Sequence, residues 1–149
     1  MPEIKKMTEA EIDAVAEIAA EVFARPWTRQ GFADALPMEN ACFLVAKESD
    51  TVLGYCGIYM AVDEGEIINV AVAPRYQKRG IADLLLKALL AEAKKCGVTR
   101  FFLEVRVSNT PAIRLYEKNG FIRQGIRKNF YKDPCEDAYV MNRMDEIEA

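Results

Sequence analysis

The amino-acid sequence predicts a single mixed α/β domain, and three features carry that prediction. Apolar residues recur at helical spacing in two well-separated stretches, 12–23 and 81–93. Runs rich in Val, Ile, Phe and Tyr, bounded by polar turns, fall between and after them and suit strands. No repeat, low-complexity segment or linker interrupts residues 1–149, so one domain is expected to span the chain. A domain of this length buries roughly two-thirds of its unfolded surface.

Thr8 with Glu11 three positions on reads as a capping box. Behind it Ile12, Val15, Ala16, Ala19, Val22 and Phe23 form the stripe of an amphipathic first helix, which Arg25-Pro26-Trp27 breaks. Thr28 is placed to cap a short second helix that ends near Leu36-Pro37. ACFLVAK and TVLGYCGIYM read as two strands joined by the turn Glu48-Ser49-Asp50. A third strand, Glu66 to Val72, follows the acidic turn Asp63-Glu64-Gly65, and its near-continuous apolar character suits a strand covered on both faces.

After Pro74, Ile81, Leu84, Leu85, Ala88, Leu89 and Ala93 form the stripe of a long helix. Gly97 sits where a C-terminal cap glycine belongs, just past Lys94 and Lys95, whose charges suit the negative end of the dipole. In FFLEVRV, Phe101, Leu103, Val105 and Val107 face one way and Phe102, Glu104 and Arg106 the other. Thr110-Pro111 supply a cap and a first-turn proline for a helix that stops at Asn119-Gly120. FIRQGIRKNFY and DAYVMNRM close the chain as two strands around the turn KDPCED.

Composition narrows the function. Half the residues are apolar and 29% are charged with both signs mixed, as in soluble globular proteins. A net charge of −3 offers no global basic field, so a nucleic-acid partner is not expected, although a local anion site is compatible with it. No apolar run approaches the ~18 residues of a membrane span. The N-terminus is acidic and amphipathic, unlike a secretory leader. A cytoplasmic protein without a membrane partner is expected. Cys42, Cys56, Cys96 and Cys135 make no CxxC pair and have no histidine for company, so half-buried reduced thiols are expected and no metal. The chain has no histidine at all, which excludes Ser-His-Asp and Cys-His nucleophile systems. Proton transfer falls to Asp, Glu, Tyr, Lys, Cys or water.

The segment VAVAPRYQKRGIA, residues 70–82, joins a buried strand to the long helix. A glycine at a helix entrance lets the backbone approach an anion, and the free N–H groups and positive dipole end favour phosphate oxygens. Lys78 and Arg79 add positive charge, and Ala82 leaves little side chain in the way. Equally, Gly80 can merely relieve a tight turn with solvated basic neighbours. The loop is neither a Walker A sequence nor a GxGxxG dinucleotide fingerprint.

This segment resembles the acyl-CoA signature of the GNAT acetyltransferases, Q/R-x-x-G-x-G/A, here Gln77-x-x-Gly80-x-Ala82. LEVRVSNTPAIRLYEKNGF is similar to the second half of that family, specifically its RimI-type N-terminal protein acetyltransferases. RPWTRQGF, 25–32, and RKNFY, 127–131, add two further RimI-like segments, so the resemblance runs in order over nearly the whole chain. It implies the GNAT fold, one mixed and largely antiparallel sheet flanked by helices, with acetyl-CoA as co-substrate entering between the strands near Val72 and Phe102.

The resemblance further implies that the backbone of Val70, Ala71 and Val72 pairs with the pantetheine amides. It implies that the loop Lys78, Arg79, Gly80, Ile81, Ala82 and Asp83 holds the pyrophosphate, with Gln77 of the signature beside it in the cofactor site, and that Asn109 contacts the cofactor. Glu104 matches the proposed general base and Tyr116 the proposed general acid. Its RimI-type members are associated with the N-terminal alanine of a small-subunit ribosomal protein, so such a protein is the expected partner. Trp27, Phe32, Glu66, Asn129, Phe130 and Tyr131 are candidates to line a groove for the peptide N-terminus, with Asp63 and Glu64 to offset its charge. Competing readings are acetylation of a small amine on the same fold and a non-catalytic acyl-CoA-binding module.

Acetyl transfer from a thioester to an amine needs two proton movements. An α-amine has a pKa of about 8 and must lose a proton before it attacks, and the departing thiolate benefits from a donor. The thioester is already activated, so direct attack in a ternary complex suffices. Periodicity alone leaves Glu104 as either that base or an ordinary strand carboxylate paired with Arg106, and Tyr116 as either that acid or a core phenol.

Overall fold

A computed structural model describes residues 1–145. The chain opens with a short strand, β1 (Glu3–Lys6), which the sequence pattern did not predict because four residues are too few to show a period. The Glu11 carboxylate then reaches back to the Thr8 N–H at 2.8 Å and accepts the Thr8 hydroxyl at 3.0 Å, closing the expected N-terminal box. Burial would raise the Glu11 carboxyl, but those two bonds and the nearby Lys47 hold it below its ordinary range. Helix α1 (Ile12–Val22) follows, and α2 (Arg29–Ala35) starts at Thr28, whose hydroxyl accepts the Gly31 N–H.

Strands β2 (Ala41–Glu48), β3 (Thr51–Ala61) and β4 (Glu64–Val72) form an antiparallel meander with β1 on its outer edge. Helix α3 (Ile81–Lys95) crosses back so that β5 (Arg100–Arg106) runs parallel to β4. Helix α4 (Thr110–Lys118) leads to the hairpin β6 (Ile122–Tyr131) and β7 (Glu136–Met144), and β7 inserts between β5 and β6. The sheet order is β1-β2-β3-β4-β5-β7-β6, with β4–β5 the one parallel pairing among the described residues, so the expected mixed, largely antiparallel architecture is what the chain adopts.

Each face of the sheet has its own core. On one face Leu85, Leu86 and Leu89 of α3 and Ile113 and Tyr116 of α4 pack on Ile58, Leu103 and Met141. On the other, Val15, Ile18 and Ala19 of α1 and Phe32 of α2 pack on Phe43, Tyr55 and Ala71. Burying one such leucine or isoleucine contributes about 1.5–3 kcal/mol. Because α1 touches β3 and β4, the second face is covered over the meander. Beyond β4, the same face carries Glu104 and the inner side of the β6–β7 hairpin. That uneven cover is what leaves room for a site.

No helix is long and apolar enough to cross a membrane among the described residues. All four cysteines are free; Cys56 is buried and Cys42 half-buried, but Cys96 and Cys135 are exposed, contrary to the expectation of four half-buried thiols. They sit at the end of α3 and in the β6–β7 turn, where nothing packs over them.

Candidate active site

The site begins where the sheet comes apart. The β4–β5 ladder has three pairs, Glu64↔Arg100, Gly65↔Phe101 and Glu66↔Phe102, and then stops. Strand β4 continues to Val72 along β3, and β5 continues to Arg106 along β7. The two therefore diverge, and among the described residues their facing backbone groups past Glu66 and Phe102 find no partner across the seam. A bulge adds to this: Asn69 opposes Gly57 and Ile67 opposes Ile58, so Ile68 is an extra residue in β4. Bulges bend a strand and re-aim its amides.

The start of α3 opens onto the carboxyl end of β4. Gly80 is its N-cap at φ +79°, and a side chain built there would meet nothing within 4 Å. Lys78 also has a positive φ, +65°, so the loop is bent in a way that favours glycine and clears the helix end. The N–H groups of the first turn, Ile81, Ala82 and Asp83, have no intrahelical acceptor and carry the positive end of the dipole. This is a cradle for an anionic diphosphate, and a diphosphate attached to an extended amide chain fits the seam beside it.

Several of the side chains expected here serve the protein instead. Gln77 donates through Nε2 to the Val72 carbonyl at 3.0 Å and so ties the loop to β4. Arg79 pairs with Glu48 at 3.2 Å. The Asp83 carboxylate accepts from Lys87 at 2.8 Å and from Asn119 Nδ2 at 2.9 Å, with Lys118 at 3.5 Å; these cations and bonds hold it below the ordinary carboxylate range. Ala71, Val72 and Ile81 turn their side chains into the cores, leaving only backbone to offer, and Val70 is partly buried against the first core. Asn109, rather than Thr110, caps α4: its Oδ1 accepts the Ala112 N–H at 3.3 Å.

Glu104 and Tyr116 lie on opposite faces of the sheet. Tyr116 is 7% exposed in the first core, its ring 5.7 Å from Phe121. Burial raises its phenol above the ordinary range, so it keeps its proton at neutral pH. Glu104 alternates with Leu103 and Val105 and so points the other way. Its cation partner is Arg127 of β6, Nε to Oε2 at 3.5 Å. Arg106, the partner the sequence suggested, is taken by Glu136 at 3.2 Å and by the Lys132 and Pro134 carbonyls, and it lies over the Tyr131 ring at 4.5 Å. The two candidate residues can meet only through the gap between β4 and β5.

Glu104 lines a cavity of about 210 Å³ with Tyr59, Glu66, Ile67, Ile68, Phe130 and Tyr131. Burial, then the nearby Glu104 carboxylate, raises the Glu66 carboxyl, with Arg127 opposing. Tyr131 is pushed up to about 12 by burial and the charge of Glu104. Next to it lies a depression of about 350 Å³ between Trp27, Thr28, Gly31, Asp34, Met38 and Tyr59. Tyr59 walls both, joining them into one groove. Sequence reasoning missed Tyr59, although it follows Tyr55 at strand spacing and opposes Glu66 across the β3–β4 ladder.

Trp27, Glu66, Phe130 and Tyr131 reach this groove. Phe32 does not: at 1% exposed it lies under Trp27, 5.3 Å ring to ring, and supports the wall from beneath. Asn129 is also turned away, its N–H donating to Asp137 and its Oδ1 accepting from the Cys135 thiol inside the hairpin. Asp63 and Glu64 sit at the β3–β4 turn beside Arg100 and are not among the residues that line the cavity.

Comparison with known proteins identifies the family. Residues 12–121 match the acetyltransferase (GNAT) family. A Bacillus subtilis (strain 168) protein provisionally named as a ribosomal protein bS18-alanine N-acetyltransferase is 40% identical over 140 residues, 93% of this chain and 92% of that protein. The ribosomal protein bS18-alanine N-acetyltransferase of Escherichia coli (strain K12) is 34% identical over 143 residues, 95% of this chain and 96% of its own length. The crystal structure of the Escherichia coli ribosomal-protein-S18-alanine N-acetyltransferase superposes with a TM-score of 0.90 at 32% identity, covering 100% of this chain and 97% of that one.

Proposed function

Because the chain belongs to the acetyltransferase (GNAT) family, we propose that it moves the acetyl group of acetyl-CoA to the α-amine of a protein N-terminus, the N-terminal alanine of a small-subunit ribosomal protein first among its acceptors. The observation that carries the acceptor is similarity over nearly the full length to relatives bearing that name, at 34% and 40% identity. The chain is one catalytic domain over residues 1–149 acting in the cytoplasm, where ribosomal proteins are made.

The amides at the start of α3, with Lys78 beside them, hold the diphosphate of acetyl-CoA. The backbone of Val70, Ala71 and Val72, which has no β5 partner among the described residues, holds its amide chain along the seam, with Gln77 fixing the loop and Asn109 the near end of α4. Bound there, acetyl-CoA supplies an activated acyl group, so no covalent attachment to the enzyme is required.

Glu104 takes a proton from the incoming ammonium on one side of the sheet, directly or through one water. The Tyr116 hydroxyl, kept protonated by burial, gives one to the departing sulfur on the other. Opposite faces therefore suit opposite tasks: one proton leaves on the acceptor side and another arrives on the thiol side. Trp27, Tyr59 and Tyr131 line the acceptor groove, and Glu66 faces the amine.

Turnover on an alanine-starting peptide of a ribosomal protein, measured beside a panel of polyamines, amino acids and aminoglycosides, tests the reading. Peptide acetylation at rates well above every small amine is expected. Turnover confined to small amines would reject it.

A further inference from the structure

Glu66 and Glu104 come from neighbouring parallel strands, two positions apart in register: Glu66 opposes Phe102, and Glu104 is the next residue along β5 on the same face. Both line the same cavity, and the Glu104 carboxylate, after burial, raises the Glu66 carboxyl. Two like charges so placed in a half-enclosed pocket repel, and one proton held between them relieves the repulsion. Among the described residues, the remaining groups facing them are the Tyr59 and Tyr131 hydroxyls and the cation Arg127.

Arg127 is itself 59% exposed on the edge strand β6, against 14% for the Glu104 side chain it approaches. Its other neighbour is the Phe130 ring, 5.9 Å away. Nothing in these contacts fixes it rigidly.

We propose that Glu66 and Glu104 act as one proton-sharing carboxylate pair that receives the acceptor's ammonium group, and that Arg127 stands in for this ammonium while the groove is empty. The proposal rests on the acetyltransferase reading above and adds to it a second amine-binding carboxylate and a displaceable cation. The acceptor's R–NH₃⁺ takes the place of the Arg127 guanidinium, which swings to solvent. One N–H proton passes to the pair, leaving R–NH₂ and a single proton shared between the two carboxyl groups, whose charge falls from −2 to −1. The amine lone pair is then free to attack. Burial and the neighbouring Glu104 raise the Glu66 carboxyl, which suits it to take up the proton released by the ammonium.

Binding of an alanine-starting peptide to the CoA-loaded protein, by calorimetry in buffers of different ionisation enthalpy, together with the pH profile of kcat/KM, tests this. Glu66→Gln should weaken peptide binding about tenfold, change the number of protons exchanged on binding, and move the acid limb of kcat/KM to lower pH, with CoA affinity unchanged. Glu66→Asp, which keeps the charge, should keep the proton count and the acid limb. Arg127→Gln should tighten peptide binding about threefold by removing an exposed competitor. Unchanged peptide affinity, proton count and acid limb in Glu66→Gln would overturn the pair, and weaker peptide binding by Arg127→Gln would overturn the stand-in. If the wild-type protein acetylates peptides and these variants behave otherwise, this inference alone falls. If it acetylates no peptide N-terminus, the acetyltransferase reading on which the inference rests falls with it.

Discussion

At the scale of single residues, the division of labour between Glu104 and Tyr116 follows from which way each side chain leaves its backbone. Glu104 alternates out of the first core, and Tyr116 sits inside it. Glu104→Gln removes the proton acceptor but keeps the shape, and kcat is expected to fall by about 10²–10⁴-fold. Tyr116→Phe removes one hydroxyl from an otherwise apolar packing and should lower kcat by about 10²-fold. Both variants should bind acetyl-CoA as the wild type does, which calorimetry checks. Unaltered turnover in either would remove that residue from the mechanism. Strand alternation made the direction of Glu104 legible from FFLEVRV. Its partner was not legible, because Arg106 and Arg127 are equally plausible in sequence and only the hairpin turn, by engaging Arg106, decides between them. Phe32 failed as a groove residue for a related reason: periodicity marks a packing face without saying whether Trp27 lies over it.

At the scale of elements, the meeting of β4, β5 and α3 makes the cofactor site. Gly80 was readable as a helix entrance, and its left-handed conformation explains why glycine stands there. Gly80→Ala meets no steric obstacle but must hold φ near +79°, at a cost of about 1–2 kcal/mol. A raised KM for acetyl-CoA with little change in peptide KM is the expected result of steady-state kinetics. A second glycine on β3 protects the seam from the other side. A side chain at Gly54 would come within 2.6 Å of the Ala71 carbonyl oxygen, so β4 would have to move. Gly54→Ala should therefore cost about 1–3 kcal/mol of stability, read as a lower Tm, and weaken CoA binding as well. The early end of the β4–β5 ladder could not be read from residues 66–72, since a strand half-paired and one fully paired share the same apolar pattern. The four-residue β1 escaped for want of length.

At the scale of the whole molecule, buried and bridged carboxylates tie the layers together. Asp83 joins α3 to α4 through Lys87, Asn119 and Lys118. Asp145 fastens the end of β7 to α3: burial alone would raise it, but Arg143 and Lys94 at 2.8 and 2.9 Å hold it below its ordinary range. Glu11 does the same for the first turn. Carboxyls depressed in the folded state stabilise it fully above their unfolded pKa of about 4 and lose that contribution as pH falls through the lower folded values. Tm should therefore drop below about pH 4 as these three lose their contribution, while Glu66, raised in the folded state, acts in the opposite sense at higher pH; a Tm that went on rising below about pH 4 would contradict these assignments. The fold class and element order were legible because helical and strand periods alternate clearly along the chain; the acceptor groove was not, because it is assembled from Trp27, Tyr59, Glu66 and Tyr131, which are distant in sequence. The most direct test is to incubate the protein with acetyl-CoA and a purified small-subunit ribosomal protein beginning with alanine, then locate the acetyl group by fragment mass spectrometry. A single acetyl on the α-nitrogen of that alanine, lost with Glu104→Gln, is predicted; acetyl found only on lysine side chains, or none on the protein at all, would contradict it.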